Sequence, residues 1–348
     1  MLRVTHFMRR PGPNAFSMER LYEDVRQALP ADCRVKVWIC RHFSRGFWPR
    51  VKDVWLARAQ QGDVNHVTGD VHYLTFLLDS RRTVLTVHDL VMLERLRGVR
   101  RFALWLLWYW LPVQRSRAIV VISETTRSRL LDSVRCDPGK VVVIHNNVSD
   151  EFRPVPRTFA DTCPRILQIG TKTNKNLERV AEALSGMTCR LVIVGPLSEA
   201  QQSMLHRYGI DYESHVGLSR EALVAQYVAA DMLLFASTYE GFGLPIVEAQ
   251  AVGRPVVTSN LSAMPEVAGE AACLVNPFDV TSIRAGVQRL VNDAAYRNDL
   301  IARGLENAKR FRASQVAARY AALYRGVAEG AGQGISREYE SDPGRAQH

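Results

Sequence analysis

What constrains this chain most is an alternation that runs through both of its halves. Short apolar runs rich in valine and isoleucine are each followed by a stretch with helical spacing. In the first half the strand-like runs are 3–7, 34–39, 64–67, 83–87, 118–122 and 141–144. In the second they are 165–169, 190–194, 214–217, 232–235, 255–258 and 272–275. Parallel strands cannot be joined by a tight turn and need a crossover, most often a helix, so this order predicts parallel sheets covered on both faces. The expected fold class is α/β: two Rossmann-like doubly wound parallel-sheet domains facing a crevice, with ligands beyond the carboxyl ends of the strands. The expected domains are residues 1–155 and 156–312, then a helix over 313–328 that crosses back and a disordered tail over 329–348. The stretch 150–164, with three prolines and no periodicity, is the expected joint.

With 348 residues, 47% of them hydrophobic and 23% charged, the chain can fill two cores, which sets general disorder aside. Its six cysteines form no Cys-x-x-Cys pair and stand beside no histidine at metal-ligand spacing, so neither a disulfide nor a structural zinc is expected. The opening MLRVTHFMRRPGP meets arginines and prolines before a signal-peptide core can form. The longest apolar run, 102–113, falls short of the roughly 20 residues that a spanning helix takes. A cytoplasmic protein is expected, with a peripheral place on the inner face of the membrane as the alternative. The net charge of +10 lies wholly in residues 1–155, which hold 25 basic and 15 acidic side chains against 20 of each in the remainder. Such an excess suits an anionic membrane surface, a phosphorylated substrate or nucleic acid, or is simply a solvated basic surface. No nucleic-acid motif accompanies it, so nucleic acid is not an expected partner.

Strand-to-helix junctions carry the chemistry. The strongest is Ser237-Thr-Tyr-Glu-Gly-Phe-Gly-Leu-Pro-Ile-Val-Glu248. Gly241 and Gly243 let backbone approach a ligand closely, and Pro245 suits the first turn of a helix. Free amides at that helix start, aided by the helix dipole, suit phosphate oxygens. Glu240 on the loop and Glu248 about one turn into the helix would flank the anion and meet hydroxyls on either side. The second junction is Ile169-Gly-Thr-Lys-Thr-Asn-Lys-Asn176, where lysines near a glycine-led turn suit a diphosphate whose charge grows as it leaves.

The Glu-x7-Glu spacing with its internal Gly-Phe-Gly-Leu-Pro resembles family 4 of the retaining glycosyltransferases, also called glycosyl transferases group 1. The resemblance continues through Ala249-Gln-Ala-Val-Gly-Arg-Pro-Val-Val257, Met264-Pro-Glu-Val-Ala268 and Cys273-Leu-Val-Asn-Pro277, and reaches back to Gly217-Leu-Ser-Arg-Glu-Ala-Leu223. It implies the two-domain GT-B fold with the donor site in the second domain. By that resemblance Glu240 contacts donor-sugar hydroxyls and Glu248 the ribose, while the loop at Phe242, Gly243 and Leu244 holds sugar and diphosphate. Lys175 matches the family's lysine of a basic pair. Asn174 stands where an arginine is common, leaving Lys172 to supply the second charge. Thr171 and Val216 join the expected donor-binding set.

The third junction, Thr83-Val-Leu-Thr-Val-His-Asp-Leu90, ends a strand and presents His88 and Asp89. Val-His-Asp-Leu also resembles a recurrent segment of these transferases, which implies His88 beside the transferred sugar with Asp89 supporting it. Asp70 and His72 follow another strand and are expected to face the acceptor, although a helix N-cap is an equal reading of Asp70. Gly12, in Arg10-Pro-Gly-Pro-Asn14, stands where relatives approach the donor phosphate, but flanking prolines replace the family's second glycine. Arg95, Arg97, Arg100 and Arg101 precede FALWLLWYWLPV, and Arg115 and Arg117 follow it. A run apolar on every face favours burial, whereas flanking arginines suit a membrane interface.

The expected reaction moves a hexose, with a lean to mannose on guanosine diphosphate, from a nucleotide-sugar donor to a hydroxyl of a glycan or lipid-linked acceptor in cell-surface polysaccharide assembly. Retention is implied by the resemblance. No Asp-x-Asp pair suggests a metal-bound diphosphate, and no cofactor or metal is expected. The rival is a non-catalytic nucleotide-sugar-binding relative or scaffold, distinguished by the absence of slow donor hydrolysis.

Overall fold

A computed structural model of the protein describes residues 1–12 and 17–330, with the side chains of Ser17, Glu94 and Arg95 outside the described set. Pro13 and Asn14 of the first loop, the Arg95 side chain and the tail from residue 331 therefore lie outside the described residues.

The first sheet holds β1 (Leu2–Met8), β2 (Cys33–Ile39), β3 (Val64–Val67), β4 (Thr83–Val87), β5 (Ala118–Val121) and β6 (Val141–Val143), in the order β2-β1-β3-β4-β5-β6. The second holds β7 (Arg165–Ile169), β8 (Arg190–Val194), β9 (Tyr212–His215), β10 (Met232–Phe235), β11 (Val256–Ser259) and β12 (Cys273–Val275), in the order β12-β11-β10-β7-β8-β9. Every pairing is parallel. Strands β3, β4, β5, β10 and β11 are buried along their whole length, and β5 and β10 accordingly read as unbroken apolar runs. Each sheet has one place where the strand order reverses, between β1 and β3 in the first and between β7 and β10 in the second. Chains leaving neighbouring strands there diverge to opposite faces and open a ligand site at the carboxyl ends.

The expected strand over 214–217 is displaced to Tyr212–His215, whose residues pair with β8 from Leu191 to Val194. Val216 lies beyond the strand and is exposed, so its apolar character misleads.

Helix Phe47–Arg58 and the helical segment ending at Gln114 cover one face of the first sheet, where Val54, Ala57, Tyr109 and Val113 join a core with Leu85 and Ile119. Helices Ser17–Ala28 and Ala313–Ala328 cover the other, bringing Tyr22, Val25, Tyr320, Leu323 and Tyr324 onto Val4, Val84 and Val120. Each fully buried large apolar side chain of this kind stabilises by about 1.5–3 kcal/mol.

The chain divides into two compact units, Met1–Asn147 together with the segment from Ala313 onward, and Val148–Arg312. The expected boundary after residue 155 is thus too late. The reason is tertiary: Val148 pairs with Arg312, Phe152 packs edge-on against Tyr227, and Arg254 donates to the Val155 carbonyl. Arg157 pairs with buried Asp231 at 2.6 Å, so this proline-bearing stretch is strapped to the second unit.

The aromatic run does not bury all its faces. It forms a helix over Gly98–Leu104, a wide π-type turn over Trp105–Trp110 and a last helical turn over Leu111–Gln114. Tyr109, Pro112 and Val113 are buried, Trp105, Trp108 and Trp110 are half-buried, and Val99, Phe102 and Leu107 face outward. Among the described residues no helix is long and apolar enough to cross a membrane.

Candidate active site

The switch point of the second sheet brings two of the predicted junctions side by side. After β7 the chain turns at Gly170, in the left-handed region at φ +89°, where a Cβ would strike the Lys175 side chain at 2.9 Å. Glycine there lets Lys175 fold back over its own loop. Asn176 closes the turn at φ 60°, a left-handed position that asparagine tolerates better than most residues. Its buried carboxamide donates to the carbonyls of Ala236 (3.0 Å) and Pro277 (2.6 Å), tying together the loops that follow β7, β10 and β12. Gln168, buried in β7, donates to the Lys175 carbonyl and fixes it from below.

After β10 the chain runs through Ser237–Phe242 to Gly243, at φ +104°, and starts helix Leu244–Val252 with a proline in its first turn. Pro245 carries no amide hydrogen and Ile246 N already donates to the Gly243 carbonyl at 3.0 Å, so what this helix start offers an anion is chiefly the positive end of the helix dipole. Phe242 does not face a ligand through its ring, which is buried edge-on against Phe311.

Across the junction Lys175 Nζ donates to Glu240 Oε1 at 2.6 Å. The two side chains retain only 16% and 15% of their exposure, so the pair sits where charge is poorly screened. Lys175 Nζ also lies 4.5 Å from the Phe235 ring centre. Asn174 completes the clamp: Nδ2 donates to the Tyr239 carbonyl (3.0 Å) and Glu240 Oε1 (3.3 Å), and its carbonyl accepts from Thr238 N (2.8 Å). On the far side Ser262 Oγ donates to the Glu240 carbonyl at 2.6 Å. Asn174 is thus a neutral bridge where an arginine was the family expectation. Lys172 is exposed, and Thr171 spends its hydroxyl on the Pro196 carbonyl.

Glu248 is buried. Tyr227 Oη donates to its Oε2 at 2.6 Å, and Arg220 Nη1 lies 3.7 Å from Oε1, beyond hydrogen-bond reach. Burial pushes its carboxyl up from the ordinary range, opposed by the Tyr227 hydrogen bond and the Arg220 charge. Arg220 is itself held by Glu151 at 2.8 Å and stacks on Phe152. Tyr227 carries no sequence signal, whereas Arg220, Asn174 and Asn176 each stand inside a segment that the sequence marks.

In the first unit His88 leaves β4, and its Nε2 donates to the Thr68 carbonyl at 2.9 Å, so Nδ1 is the nitrogen not engaged by that carbonyl. Asp89 does not support it. Its carboxylate accepts from Val91 N, capping its own turn. Asp70 is no N-cap either, since it pairs with Arg9 at 2.9 Å while Val71 precedes the short helix. His72, expected to face the acceptor, belongs to the core: Nδ1 donates to the Trp108 carbonyl at 2.7 Å and the ring packs on Trp108 and Tyr109. Gly12 is described, but the loop it enters is not. Among the described residues no group of three or more His, Cys, Asp or Glu side chains is placed to hold a metal ion.

Two Rossmann-like parallel sheets in one chain, the second carrying a lysine–glutamate couple and a helix start at its switch point, define the GT-B glycosyltransferase class. The chain belongs within it to the group 1, or family 4, glycosyltransferases: a family model described as "Glycosyl transferases group 1" matches residues 163–293, and one described as "Glycosyltransferase Family 4" matches residues 4–152. It is 27% identical over 292 residues to the O-antigen chain mannosyltransferase B of Escherichia coli, covering 75% of this chain and 73% of that one. To the serotype-specific mannosyltransferase WbdA of Escherichia coli it is 28% identical over 258 residues, spanning 66% of this chain but only 32% of that protein. The crystal structure of Anabaena Alr3699/HepE in complex with UDP and glucose superposes with a TM-score of 0.75 over 94% of this chain and 100% of that one, at 14% identity.

Proposed function

We propose that this glycosyltransferase moves mannose from guanosine diphosphate mannose to a hydroxyl of a growing polysaccharide or a lipid-linked glycan, with retained anomeric configuration and without a metal. The Lys175–Glu240 couple at the switch point carries the reading, and the two mannosyltransferase relatives support the sugar. A lysine ammonium has three protons. One is spent on Glu240, and the others remain for a diphosphate oxygen seated at the start of helix Leu244–Val252. Glu240 is thereby held in place for the donor-sugar hydroxyls, and Oε1 of Glu248 is left for the ribose. His88, through Nδ1, is assigned to the transferred sugar. The bond from C1 to the phosphate oxygen breaks with its electron pair going to the diphosphate. The acceptor oxygen bonds to C1 on the same face, and its proton passes to the departing phosphate. Fixed position and charge stabilisation supply the rate.

The test is transfer from guanosine diphosphate mannose to an oligomannoside, followed by NMR of the new anomeric proton. The expected product is the α-linkage, formed equally fast in EDTA. An inverted product, or activity lost in EDTA and restored by magnesium or manganese, would overturn the mechanism. Turnover only with other donors would overturn the sugar assignment.

The ribose assignment has its own measurement. Glu248→Ala is expected to weaken nucleoside diphosphate binding in calorimetry by about 1.5–3 kcal/mol, the range for hydrogen bonds to a charged group. Glu248→Gln keeps an acceptor for the Tyr227 hydroxyl and so separates lost charge from lost packing. Unchanged affinity in both variants would move the ribose elsewhere.

A further inference from the structure

Helix Phe47–Arg58 turns Val54 and Ala57 to the core, and Asp53 is buried beneath the preceding loop, where it accepts from the amides of Arg41 and His42. The opposite face carries Phe47, Trp48, Val51 and Trp55. Phe47, Trp48 and Trp55 are 70%, 71% and 68% exposed, the most exposed phenylalanine and tryptophan side chains among the described residues. An apolar stripe with no cover is uncommon on a soluble protein. Its surroundings are one-signed. Residues 34–58 hold seven Lys and Arg and a single acid, Asp53, which is buried. Arg45, Lys52 and Arg58 are exposed beside the stripe. The helical segment carrying Val99, Phe102 and Leu107 packs on the same face of the sheet and adds exposed Arg97, Arg100 and Arg101. Arg50 joins the two elements by stacking on Trp108 at 5.0 Å.

We infer that this face of the first unit docks on an anionic lipid surface, with Phe47, Trp48 and Trp55 entering the headgroup boundary and the flanking lysine and arginines meeting lipid phosphates. Trp and Phe on one face with cations at its margins is the composition that the interface favours, because the rings are apolar with a polar edge and the long basic side chains reach outward to charge. The absence of an exposed acid within 34–58 removes the repulsion that an anionic surface would otherwise meet. The inference deepens the proposed encounter with a lipid-linked acceptor, and its test is read without catalysis so that the two can fail separately.

The experiment is co-sedimentation of the full chain with phosphatidylcholine vesicles containing graded fractions of phosphatidylglycerol. It is run in about 0.1 M salt, where the Debye length is about 10 Å, and in about 1 M salt, where it is about 3 Å. Binding is expected to rise with phosphatidylglycerol and fall with salt. The double variant Trp48→Ser/Trp55→Ser should lower the partition coefficient about tenfold or more, and Lys52→Gln/Arg58→Gln should lower it on anionic vesicles only. Both variants should transfer sugar to a soluble acceptor at the wild-type rate. Wild-type protein left in the supernatant at low salt, or variants that bind as well as wild type, would overturn the inference. So would a concentration-dependent dimer that the double tryptophan variant abolishes, since the stripe would then cover a second copy.

Discussion

Glu240→Ala is expected to lower kcat by about 10²–10³-fold, the scale of removing one preorganised charge-stabilising group, while nucleoside diphosphate affinity holds or tightens. The direction of the second effect follows from the geometry. In the wild type one proton of Lys175 is committed to Glu240 Oε1 at 2.6 Å, inside a site where both side chains are largely withdrawn from water. Removing the carboxylate frees that proton and leaves the ammonium unneutralised, so a diphosphate meets a stronger cation. The sugar loses its partner, and that interaction is the one drawn upon as charge develops at C1. Lys175→Ala should behave differently, lowering kcat and affinity together, because the charge that binds the diphosphate is also the one that stabilises it on departure. Steady-state kinetics with calorimetry on both variants separates the patterns. A wild-type kcat in Glu240→Ala would remove that residue from the reaction centre, and equal loss of affinity in both variants would mean the couple acts as one binding unit.

The contrast between these two residues and their neighbours explains what could be read from sequence. Glu240 and Lys175 stand in short segments whose glycines and helix start dictate local geometry, so the motif carries its own structure. Asn174 contacts residues 64 to 66 positions away, and Ser262 meets Glu240 across 22. Nothing in its local sequence marks Ser262, and although Asn174 stands inside the motif after β7, its sequence neighbours do not show that it bridges to Glu240. Eleven of the twelve strands begin and end within one residue of the expected runs, because strands of a parallel sheet covered on both faces are rich in apolar side chains. The exception, β9, is an edge strand reading Tyr-Glu-Ser-His, with none of its residues fully buried. The stretch 150–164 has the composition of a linker, yet Arg157, Phe152 and Val155 are fastened to partners 74 to 97 residues on, which composition does not register. His72 failed in the same way: the residue that claims its nitrogen, Trp108, comes 36 positions later.

Between pH 7 and pH 5 the protein is expected to lose about 4 kcal/mol of stability, carried by two buried histidines of the first sheet. His6 on β1 and His66 on β3 are neighbours in register, fully buried, with rings edge-to-face at 5.1 Å. Tyr324 Oη lies 3.0 Å from His6 Nε2 and 2.7 Å from His66 Nδ1, and Thr86 Oγ1 lies 2.7 Å from His66 Nε2. The Tyr324 hydroxyl can donate its one proton to one ring and accept through its oxygen from the other, so at least one of the two rings must present an unprotonated nitrogen to it. Burial holds His6 down to about 3, helped by Arg26, and holds His66 well below the ordinary range, helped by His6 and His88. The other rings against them, Tyr22 and Tyr320, offer no negative charge at these pH values. Unfolded, each histidine takes a proton below about pH 6.5, while the folded chain refuses it. Stability from such depressed groups is complete above about pH 6.5 and is lost as pH falls towards 3, at about 1.4 kcal/mol per pH unit for each ring. Against a typical 5–15 kcal/mol that loss is large. His72, lowered by its own burial, pulls the same way. Asp63, held near 2 through its hydrogen bonds to Arg3, adds its loss only at still lower pH, so the windows separate. Urea midpoints at pH 7, 6 and 5 read the slope. His6→Gln with His66→Gln should lower stability at pH 7 and flatten its fall towards pH 5. A wild-type midpoint that does not move over this range, or an equally steep fall in the double variant, would mean that the proton uptake lies in other groups.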